Sequence, residues 1–536
     1  MAPVSATTTA STLATPTKPL NVLTLSIPGP ITGCYYYGSG ADASLRAILD
    51  LVRPSAFTND PTGNFVGSPG PISQAELVSL TPQTVVYSLN TNWRWTNGLH
   101  FNGEDLKQWY LRARVLASSL VDGYRDIGSL SVNAADDKVR VVFAQPYSDW
   151  PSLFRDVSQR DRPLNCTLSS LASEPSLGPY VLSSISASGA ELVRNQLWTA
   201  VRAHFDVISI RTNVAPNHFR GTNFVDYRST LSASQLSYLA QSSRLDGHVG
   251  SSNKIVTVGY SAHRKLTVQL AVRQFLSWSI NRQRIIDDTI GPLTYSQGLA
   301  ASTIFSQGQR YYPGGVGIGP SGQSPPSLTT TIPTGVGQDC GACAPGVLLG
   351  AGFVKKNALW RTPTGAGLAI AVAVGPTTLD QLVATEVINQ WRAAGVASTP
   401  ISAPSDQVVA SLLAHGQADV GIFTTTANAV ASQTARSWTG RNVGDGFDLG
   451  WRSALIDQWY ASALDTFNAN DAAATWLEID HQITTQAWER PLFTVPSIVT
   501  WSTNVSGVYG SVALESFVDE VPTWGNAVPS INSGTL

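Results

Sequence analysis

The segment over residues 368–423 constrains the fold more than any other part of the chain. Residues 368–374 (LAIAVAV) are almost all apolar, which is typical of a β-strand covered on both faces. Apolar spacing predicts helices over 379–394 and 407–415, and a further strand over 418–423 (ADVGIF). Strands joined through helices form right-handed βαβ units and pair in parallel. The sequence therefore predicts an α/β fold for this half of the chain.

The remaining elements follow each other without a regular order. Alternating or apolar runs predict strands over 20–27, 84–89, 138–143 and 207–211. Helical spacing predicts helices over 42–51, 103–120 and 268–288, and a long loop rich in Gly, Ser, Thr and Pro over 296–346. This mixture is typical of α/β or α+β architecture.

Length and charge narrow the class of protein. A chain of 536 residues exceeds a single hydrophobic core, so two or more lobes are expected. Charged residues make up 13% of the chain, and the formal net charge is −2. Such a balance gives no electrostatic basis for binding nucleic acid or an anionic membrane surface. No run of about twenty apolar residues is present that would span a bilayer.

The N-terminal residues 1–19 are rich in Ser, Thr, Ala and Pro, which predicts a flexible tether. Such tethers are found directly after processed signals. We therefore expect that a signal ending in a lipid-modified cysteine precedes these residues and has been removed. A disordered end of a cytoplasmic protein is the alternative. The cysteines are Cys34, Cys166, Cys340 and Cys343. The CxxC spacing of the last two lies after a Gly/Pro-rich loop, which favours a local structural disulfide over a redox or zinc motif.

Motifs for catalysis or metal binding are absent or lack their structural context. Residues 317–322 match GxGxxG, but Tyr-Tyr-Pro precedes them and Ser-Pro-Pro follows, so no helix can begin there. Residues 251–254 match SxxK without a KTG triplet. The seven histidines form no short metal-binding pair. The sequence therefore favours a binding protein over an enzyme, with no catalytic residue, metal or cofactor.

Seven short segments carry patterns that recur together in one protein family. The most specific is 266–282 (LTVQLAVRQFLSWSINR). Within 84–105, Trp95 and Gly98 match the family pattern, whereas Asn97 replaces the usual Asp. The other segments are 141–154, 177–180 with 194–195, 347–353, 390–396 and 488–496. In this order, over roughly 85–536, they resemble the family 5 extracellular solute-binding proteins, which bind peptides, nickel chelates and related ligands.

The resemblance implies a two-lobed periplasmic-binding-protein-like fold of type II, in the large cluster with an extra subdomain, whose lobes are joined by two hinge strands. Lobe I would comprise 20–255 and 493–536, with its subdomain at about 46–177. Lobe II would comprise 256–492. A ligand would be enclosed between the lobes by hinge closure, and an ABC permease would recognise the closed form.

Two segments would line the cleft by this resemblance. The first follows the first strand and offers aromatic faces with hydroxyl groups, although its tyrosines could instead pack against the next helix. The second follows the strand over 418–423. The predicted ligand-binding residues are Gly33, Cys34, Tyr35, Tyr36, Tyr37, Phe423, Thr424, Thr425, Thr426, Asn428 and Trp438.

Peptide-binding relatives usually carry an Asp in the second segment that pairs with the amino terminus of the ligand. This chain has no acidic residue between Asp419 and Asp445. A buried ammonium group without a counter-charge costs several kcal/mol. Either an acid from elsewhere substitutes, or the ligand lacks a free amine. The threonines therefore predict a ligand of low net charge, unless an acid from another segment reaches the cleft.

Two functions remain open from the sequence. The first is the substrate-binding component of an ABC importer for oligopeptides or similar organic ligands, monomeric and lipid-anchored on the extracellular face of the cell membrane. The second is a non-transport lipoprotein that regulates glycolipid and envelope synthesis, because 52–57 and 141–154 are similar to an actinobacterial lipoprotein branch of the family that has this role. The low Lys and high Ala, Val and Thr content also fits an actinobacterial source.

Overall fold

The computed structural model describes residues 20–31, 43–60, 64–115, 122–162, 167–212, 223–228, 244–291, 299–313, 340–441, 448–510 and 514–526. The strands are β1 Val22–Ile27, β2 Phe57–Asn59, β3 Phe65–Gly67, β4 Ile72–Leu80, β5 Gln83–Leu89, β6 Ile127–Val132, β7 Lys138–Phe143, β8 Tyr180–Ser186, β9 Gly189–Arg194, β10 Val207–Thr212, β11 Phe224–Arg228, β12 Leu245–Tyr260, β13 Val354–Lys356, β14 Leu359–Arg361, β15 Ala369–Val374, β16 Ala397–Ser402, β17 Val420–Thr426, β18 Glu489–Ser502, β19 Val505–Ser506 and β20 Gly525–Asn526. The helices are α1 Ala43–Asp50, α2 Gly103–Ala113, α3 Asp122–Arg125, α4 Leu168–Leu171, α5 Leu270–Trp278, α6 Arg282–Thr289, α7 Ala344–Gly350, α8 Thr378–Ala394, α9 Asp406–Ala414, α10 Ala431–Ala435, α11 Ala454–Leu464, α12 Ala469–Thr485 and α13 Leu514–Asp519.

One long sheet runs through both lobes, in the strand order β16-β15-β17-β12-β18-β11-β1-β10-β9-β8. The two central strands, β12 and β18, are antiparallel and shared between the lobes. Their register shifts between Ser251 and Ile255, and such bulges bend a strand pair locally. A separate sheet, β4-β5-β7-β6, forms the subdomain. The predicted α/β, two-lobed fold with two hinge strands is confirmed.

The lobe II part of the sheet has the predicted parallel pairing. β15 pairs in parallel with β17 and also with β16. β16 was missed by the sequence analysis because its segment ASTPIS lacks apolar alternation and carries Pro400, which strands tolerate at a sheet edge. α8 begins with a capping box between Thr377 and Asp380. It ends at Ala394 and is capped by Gly395, whose φ of 102° suits glycine.

Three predicted elements differ from the structure. The single helix expected over 268–288 is two helices, α5 and α6, because the Asn281 side chain accepts a hydrogen bond from the Arg284 N–H and starts a new helix. The helix expected over 103–120 ends at Ala113, and 116–121 lie outside the described residues. The last part of the predicted loop over 296–346 already belongs to α7, which begins at Ala344.

The cysteine prediction holds where the structure describes it. Cys340 and Cys343 form a disulfide with a Cα–Cα distance of 5.2 Å. It lies directly before α7, which begins at Ala344 with a proline in its first turn. Cys34 and Cys166 lie outside the described residues.

Two large apolar cores correspond to the two ends of the long sheet. One fills the space around β12, β15, β17, α5 and α8, with Trp391 fully buried. The other covers the lobe I strands and the subdomain, and it also includes Tyr460 and Trp476 from α11 and α12. These two helices follow β17 in the chain, so they connect the lobe II segment to the core of lobe I.

Candidate ligand-binding cleft

The registers of the long sheet define where the two lobes face each other. β17 ends at Thr426, which lies opposite Lys254 in β12, directly beside the bulge. β11 ends at Arg228, opposite Ile498 in β18, on the other side of the bulge. β1 runs parallel to β11, and β15 runs parallel to β17. The carboxyl ends of the parallel strands of both lobes therefore point toward the bulge from opposite sides.

Ligand sites in open α/β sheets lie beyond the carboxyl ends of the strands. In this chain two such edges face each other across β12 and β18. The crevice between them is the candidate ligand-binding cleft. Its lobe II wall is formed by the end of β17 and by the beginnings of α8 and α9.

Two carboxylates reach this wall from α8 and α9 and contact Thr424. The Thr424 Oγ1 donates to Asp380 Oδ1 at 2.9 Å, and the Thr424 backbone N–H donates to Asp406 Oδ1 at 3.3 Å. Both acids lie outside the 423–438 segment. Acids from two other segments therefore bond to Thr424, and the expected low net charge of the ligand stays a prediction.

The two acids differ in their surroundings. Asp380 is fully buried, and the N–H and hydroxyl of Thr377 donate to its Oδ2. Burial, followed by the charge of Asp380, raises the pKa of Asp406 to about 7, against the lowering effects of the Thr424 N–H and of Lys254. At neutral pH Asp406 is thus poised to accept or share a proton, and a cation beside it would favour its charged form.

A glycine makes the close approach of the two acids possible. A Cβ on Gly375 would lie 2.6 Å from Asp406 Oδ1 and 2.7 Å from Asp380 Oδ2. Any side chain at this position would displace a carboxylate. Gly375 follows β15 directly, so the strand end itself leaves room for the acid pair.

The remaining predicted residues of the second segment take different positions. The Thr425 Oγ1 donates to the Ile255 carbonyl at 3.3 Å, and the Thr426 side chain is half-buried at the end of β17. The Asn428 N–H donates to Thr434 Oγ1 at 2.9 Å. Thr424, Thr425, Thr426 and Asn428 are partly accessible along the wall, as a ligand contact requires.

The two aromatic residues of the second segment are buried. Phe423 is 1% exposed and packs in a small core with Val409, Leu413 and Leu449. Trp438 is 5% exposed, and its Nε1 has no hydrogen-bond partner among the described residues. Their predicted ligand contacts remain predictions.

The first predicted segment cannot be compared with the structure. Gly33, Cys34, Tyr35, Tyr36 and Tyr37 lie outside the described residues. The described chain reaches Ile31, four residues past the end of β1 at the cleft edge. Their role in the lobe I wall stays a prediction.

The acid pair was missed by sequence reasoning. Asp380 and Asp406 were visible only as acids near helix starts, where capping explains them. Their position in the sequence was a usable signal. Each acid follows a parallel strand by a few residues, and neighbouring parallel strands end at the same edge of the sheet, so the two acids are expected close together. In the described parts of the chain no helix is long and apolar enough to cross a bilayer, and no three metal-ligating acids, histidines or cysteines are grouped together.

Comparison with known proteins agrees with this architecture. The model of a family described as "Bacterial extracellular solute-binding proteins, family 5 Middle" matches residues 75–446. This match covers more than half of the chain, and the chain belongs to this family of extracellular solute-binding proteins. The resemblance inferred from the sequence is confirmed.

Individual relatives share limited sequence identity with this chain, over about a third of its length. The oligopeptide-binding protein OppA of Mycobacterium bovis is 26% identical over 186 residues, which cover 32% of this chain and 31% of OppA. The probable monoacyl phosphatidylinositol tetramannoside-binding protein LpqW of Mycobacterium tuberculosis is 31% identical over 173 residues, covering 29% of this chain and 26% of LpqW. The chain thus matches less than a third of the length of these relatives.

The solved structure of the periplasmic EDTA-binding protein EppA shows the same fold over nearly the whole length. It superposes with a TM-score of 0.78, covering 95% of this chain and 96% of EppA at 18% sequence identity. At this identity the likeness concerns the fold alone.

Proposed function

We propose that the chain is the extracellular substrate-binding component of an ABC importer, and that it captures oligopeptides or similar organic ligands between its lobes without catalysing a reaction. The observation that carries this proposal is the arrangement of the parallel strands. Their carboxyl ends in the two lobes point toward the bulge of β12 and β18 from opposite sides. Closure about such strands buries a ligand and excludes water. The proposed division places lobe I at 20–255 and 493–536, its subdomain at 46–177, and lobe II at 256–492.

The acid pair supports a ligand that brings a positive charge or several hydrogen-bond donors to Thr424. Asp406 forms no ion pair within the described residues, and Lys254 acts on it only at longer range. A buried ammonium group costs several kcal/mol unless a counter-charge faces it. Asp406 would supply that charge and take over the role of the acid absent from 423–438.

The proposed ligand would also contact the tyrosine-rich segment of lobe I and the threonine wall of lobe II. The proposed partner is a membrane-embedded ABC permease that recognises the closed, monomeric protein. The tether at 1–19 would connect the folded lobes to a lipid anchor on the extracellular face of the cell membrane.

A second function is favoured by one observation, the similarity to LpqW. In this alternative the chain is a non-transport lipoprotein of the cell envelope that regulates glycolipid and envelope synthesis, and its cleft would take an anionic glycolipid. The Asp380 carboxylate at the cleft wall argues against a phosphate group at Thr424, since like charges repel in a poorly solvated site. The ligand released from the protein distinguishes the two functions.

Native mass spectrometry of the protein as purified, repeated after mild denaturation, tests the proposal. Release of a mixed set of peptides with free amino termini is the expected result. Release of a mannosylated lipid would favour the second function. An empty protein whose melting temperature does not change with a peptide library would contradict the importer function.

Two matched variants test the part that the acid has in binding. Asp406→Asn removes the charge at the cleft wall, and Asp288→Asn makes the same change on an exposed helix of lobe II. We expect the first to lose about tenfold or more in affinity for a free-amine tripeptide, the effect of one charged hydrogen bond, and the second to bind like the parent protein. Equal binding by both variants would contradict the proposed contact.

A further inference from the structure

A small cavity lies at the end of the β12–β17 strand pair that points away from the candidate cleft. Its volume is about 220 Å³, and it lies between α5, the carboxyl end of α12 and the first residues of β18. Ser277, which lines it, is bonded to Tyr260, and Tyr260 lies opposite Val420, the first residue of β17. The cleft wall lies at Thr426, the last residue of the same strand. The cavity and the candidate cleft are therefore separate places.

The floor of the cavity carries a buried positive charge. Arg490 lines it and is 6% exposed. Ser277 is also buried, and its hydroxyl lies 2.8 Å from the Tyr260 hydroxyl. Either hydroxyl can donate in this bond, so with Tyr260 as the donor the Ser277 proton is available to a ligand. A guanidinium and a hydroxyl donor thus meet at the floor.

The mouth of the cavity is polar but uncharged. Gln274, Trp278 and Thr484 are half-buried there, and Thr485 is exposed. The Gln274 amide can donate to a ligand, as the hydroxyl of the floor can. Among the described residues, no Asp or Glu lines this cavity. The lining therefore combines hydrogen-bond donors with a positive charge.

Two sources of negative charge lie near the cavity, and both are compensated. The carbonyl groups at the carboxyl end of α12 are covered by Arg273, whose Nε and Nη2 donate to the Gln486 carbonyl at 3.0 and 2.8 Å. Glu489 precedes Arg490, and its side chain points to the opposite face of β18 because successive strand residues alternate. Burial raises the pKa of Glu489 to about 8, so this carboxyl is mostly protonated at neutral pH.

We propose that this cavity is a second ligand site, and that it binds a small oxyanion, either a phosphate or a carboxylate group. The oxyanion site consists of Gln274, Ser277, Trp278, Thr484, Thr485 and Arg490. Guanidinium, hydroxyl and amide donors are the groups that recognise charged oxygens in proteins. The volume suits an ion or a ligand of a few atoms, since pockets for larger organic ligands have ~300 Å³ or more.

The oxyanion site goes beyond the proposed ligand-binding function. The acid pair of the candidate cleft favours a cation, whereas the cavity at the other end of the strands favours an anion. An anion bound there would join α5, α12 and β18. It would therefore stabilise the folded chain by binding to it in preference to the unfolded chain.

Titration of the full chain with inorganic phosphate, and separately with acetate, tests the oxyanion site. The protein is first dialysed against chloride, and the ionic strength is held constant. The Trp278 indole signal in a proton–nitrogen NMR spectrum reports on the cavity, and its loss in Trp278→Phe identifies it. We expect this signal to shift to saturation with at least one of the two anions, and the anion that binds more tightly identifies the group recognised. A Trp278 signal that neither anion moves would overturn the proposal.

Two matched variants test the charge preference. Gln274→Glu places a negative charge at the mouth and is expected to weaken binding of the preferred anion by about tenfold or more, because like charges repel strongly in a poorly solvated site. Gln283→Glu makes the same change on the exposed face of α6 and is expected to bind that anion like the parent protein. Equal binding by the two variants would contradict an oxyanion at this cavity.

Asp406→Asn separates the oxyanion site from the candidate cleft. This variant changes a cleft carboxylate and is expected to leave the anion titration of the Trp278 signal unchanged. An altered titration would show that the anion occupies the cleft, and it would overturn a second site. None of these outcomes depends on whether native mass spectrometry finds a peptide, so the oxyanion site and the importer function can fail separately.

Discussion

Both lobes contain buried carboxylates, but the partners of these carboxylates differ. In lobe I, Arg155 lies between Asp50 and Asp519, with Nη2 2.6 Å from Asp50 Oδ2 and 3.3 Å from Asp519 Oδ2. At the lobe II wall, Asp380 and Asp406 are held by hydroxyl and backbone N–H groups without an arginine. Buried charges without a partner cost stability, and a site that keeps them is available to bind an external cation.

The comparison separates two uses of the same residue type. The lobe I cluster ties α13 to α1 through Arg155, so its charges stabilise the fold internally. The lobe II pair lies at the edge of the candidate cleft, where the proposed ligand would complete it. If this distinction is correct, substitutions in the first cluster change the free energy of unfolding most strongly, and those in the second change ligand binding and the pH dependence of stability.

The largest effect is expected for Arg155→Ala. Removing the guanidinium leaves two buried carboxylates without their cation, which costs about 3–5 kcal/mol. Urea unfolding followed by circular dichroism measures the loss. Arg284→Ala is the control, because Arg284 is largely exposed in its pairs with Asp288 and Glu386 and should change stability by less than ~1 kcal/mol. Similar losses of unfolding free energy in the two variants would show that the buried ion pairs of Arg155 stabilise the fold no more than the exposed ion pairs of Arg284.

A smaller loss of stability is expected for Gly375→Ala. The added methyl group would displace Asp380 or Asp406, and overpacking of this kind costs about 1–3 kcal/mol. The same variant should lose affinity for a free-amine tripeptide in isothermal titration calorimetry. Gly367→Ala is the matched control in the same lobe, since its Cβ would meet no atom within 4 Å. Full binding by Gly375→Ala would show that the spacing of the acids does not matter.

The smallest change in stability is expected for Asp406→Asn, and its sign depends on pH. Burial and then the charge of Asp380 raise the pKa of Asp406 from 3.8 to about 7. Because the folded protein holds this proton more tightly than the unfolded chain, the ionised carboxyl costs stability above pH 7, and the cost disappears as the pH falls toward 4. Asp406 is partly exposed, so solvent screening reduces this cost, and the variant should be ~1–2 kcal/mol more stable than the parent at pH 8 and equal to it at pH 4. A difference that grows toward pH 4 would contradict the assignment.

Local signals in the sequence predicted much of the lobe II fold. The apolar run of β15 and the apolar spacing over 379–394 each act within a few residues, so they are readable without a partner segment. The break at Asn281 was missed because its cap competes with a continuous apolar face on either side. β16 was missed because an edge strand needs little apolar alternation.

The acid pair could not be predicted because it depends on strand order. Asp380, Asp406 and Thr424 come from three segments, and the parallel pairing of β15 with both β16 and β17 brings them together. Contacts between still more distant segments, such as the bond from the Ser148 N–H to the Leu464 carbonyl, depend on the fold in the same way. Capping and periodicity carry no information about contacts at such separations.

The position of β18 between β12 and β11 has a consequence for how the chain reaches its native state. Val225 pairs with Trp501, and Asp246 pairs with the same residue from the other side. Until residues 489–502 arrive, β12 and the strands of lobe I have no common neighbour, and the sheet remains in two unconnected pieces. Contacts between residues that are so far apart in the sequence slow folding. During synthesis or export, lobe I must therefore wait with two exposed strand edges while the whole of lobe II is completed.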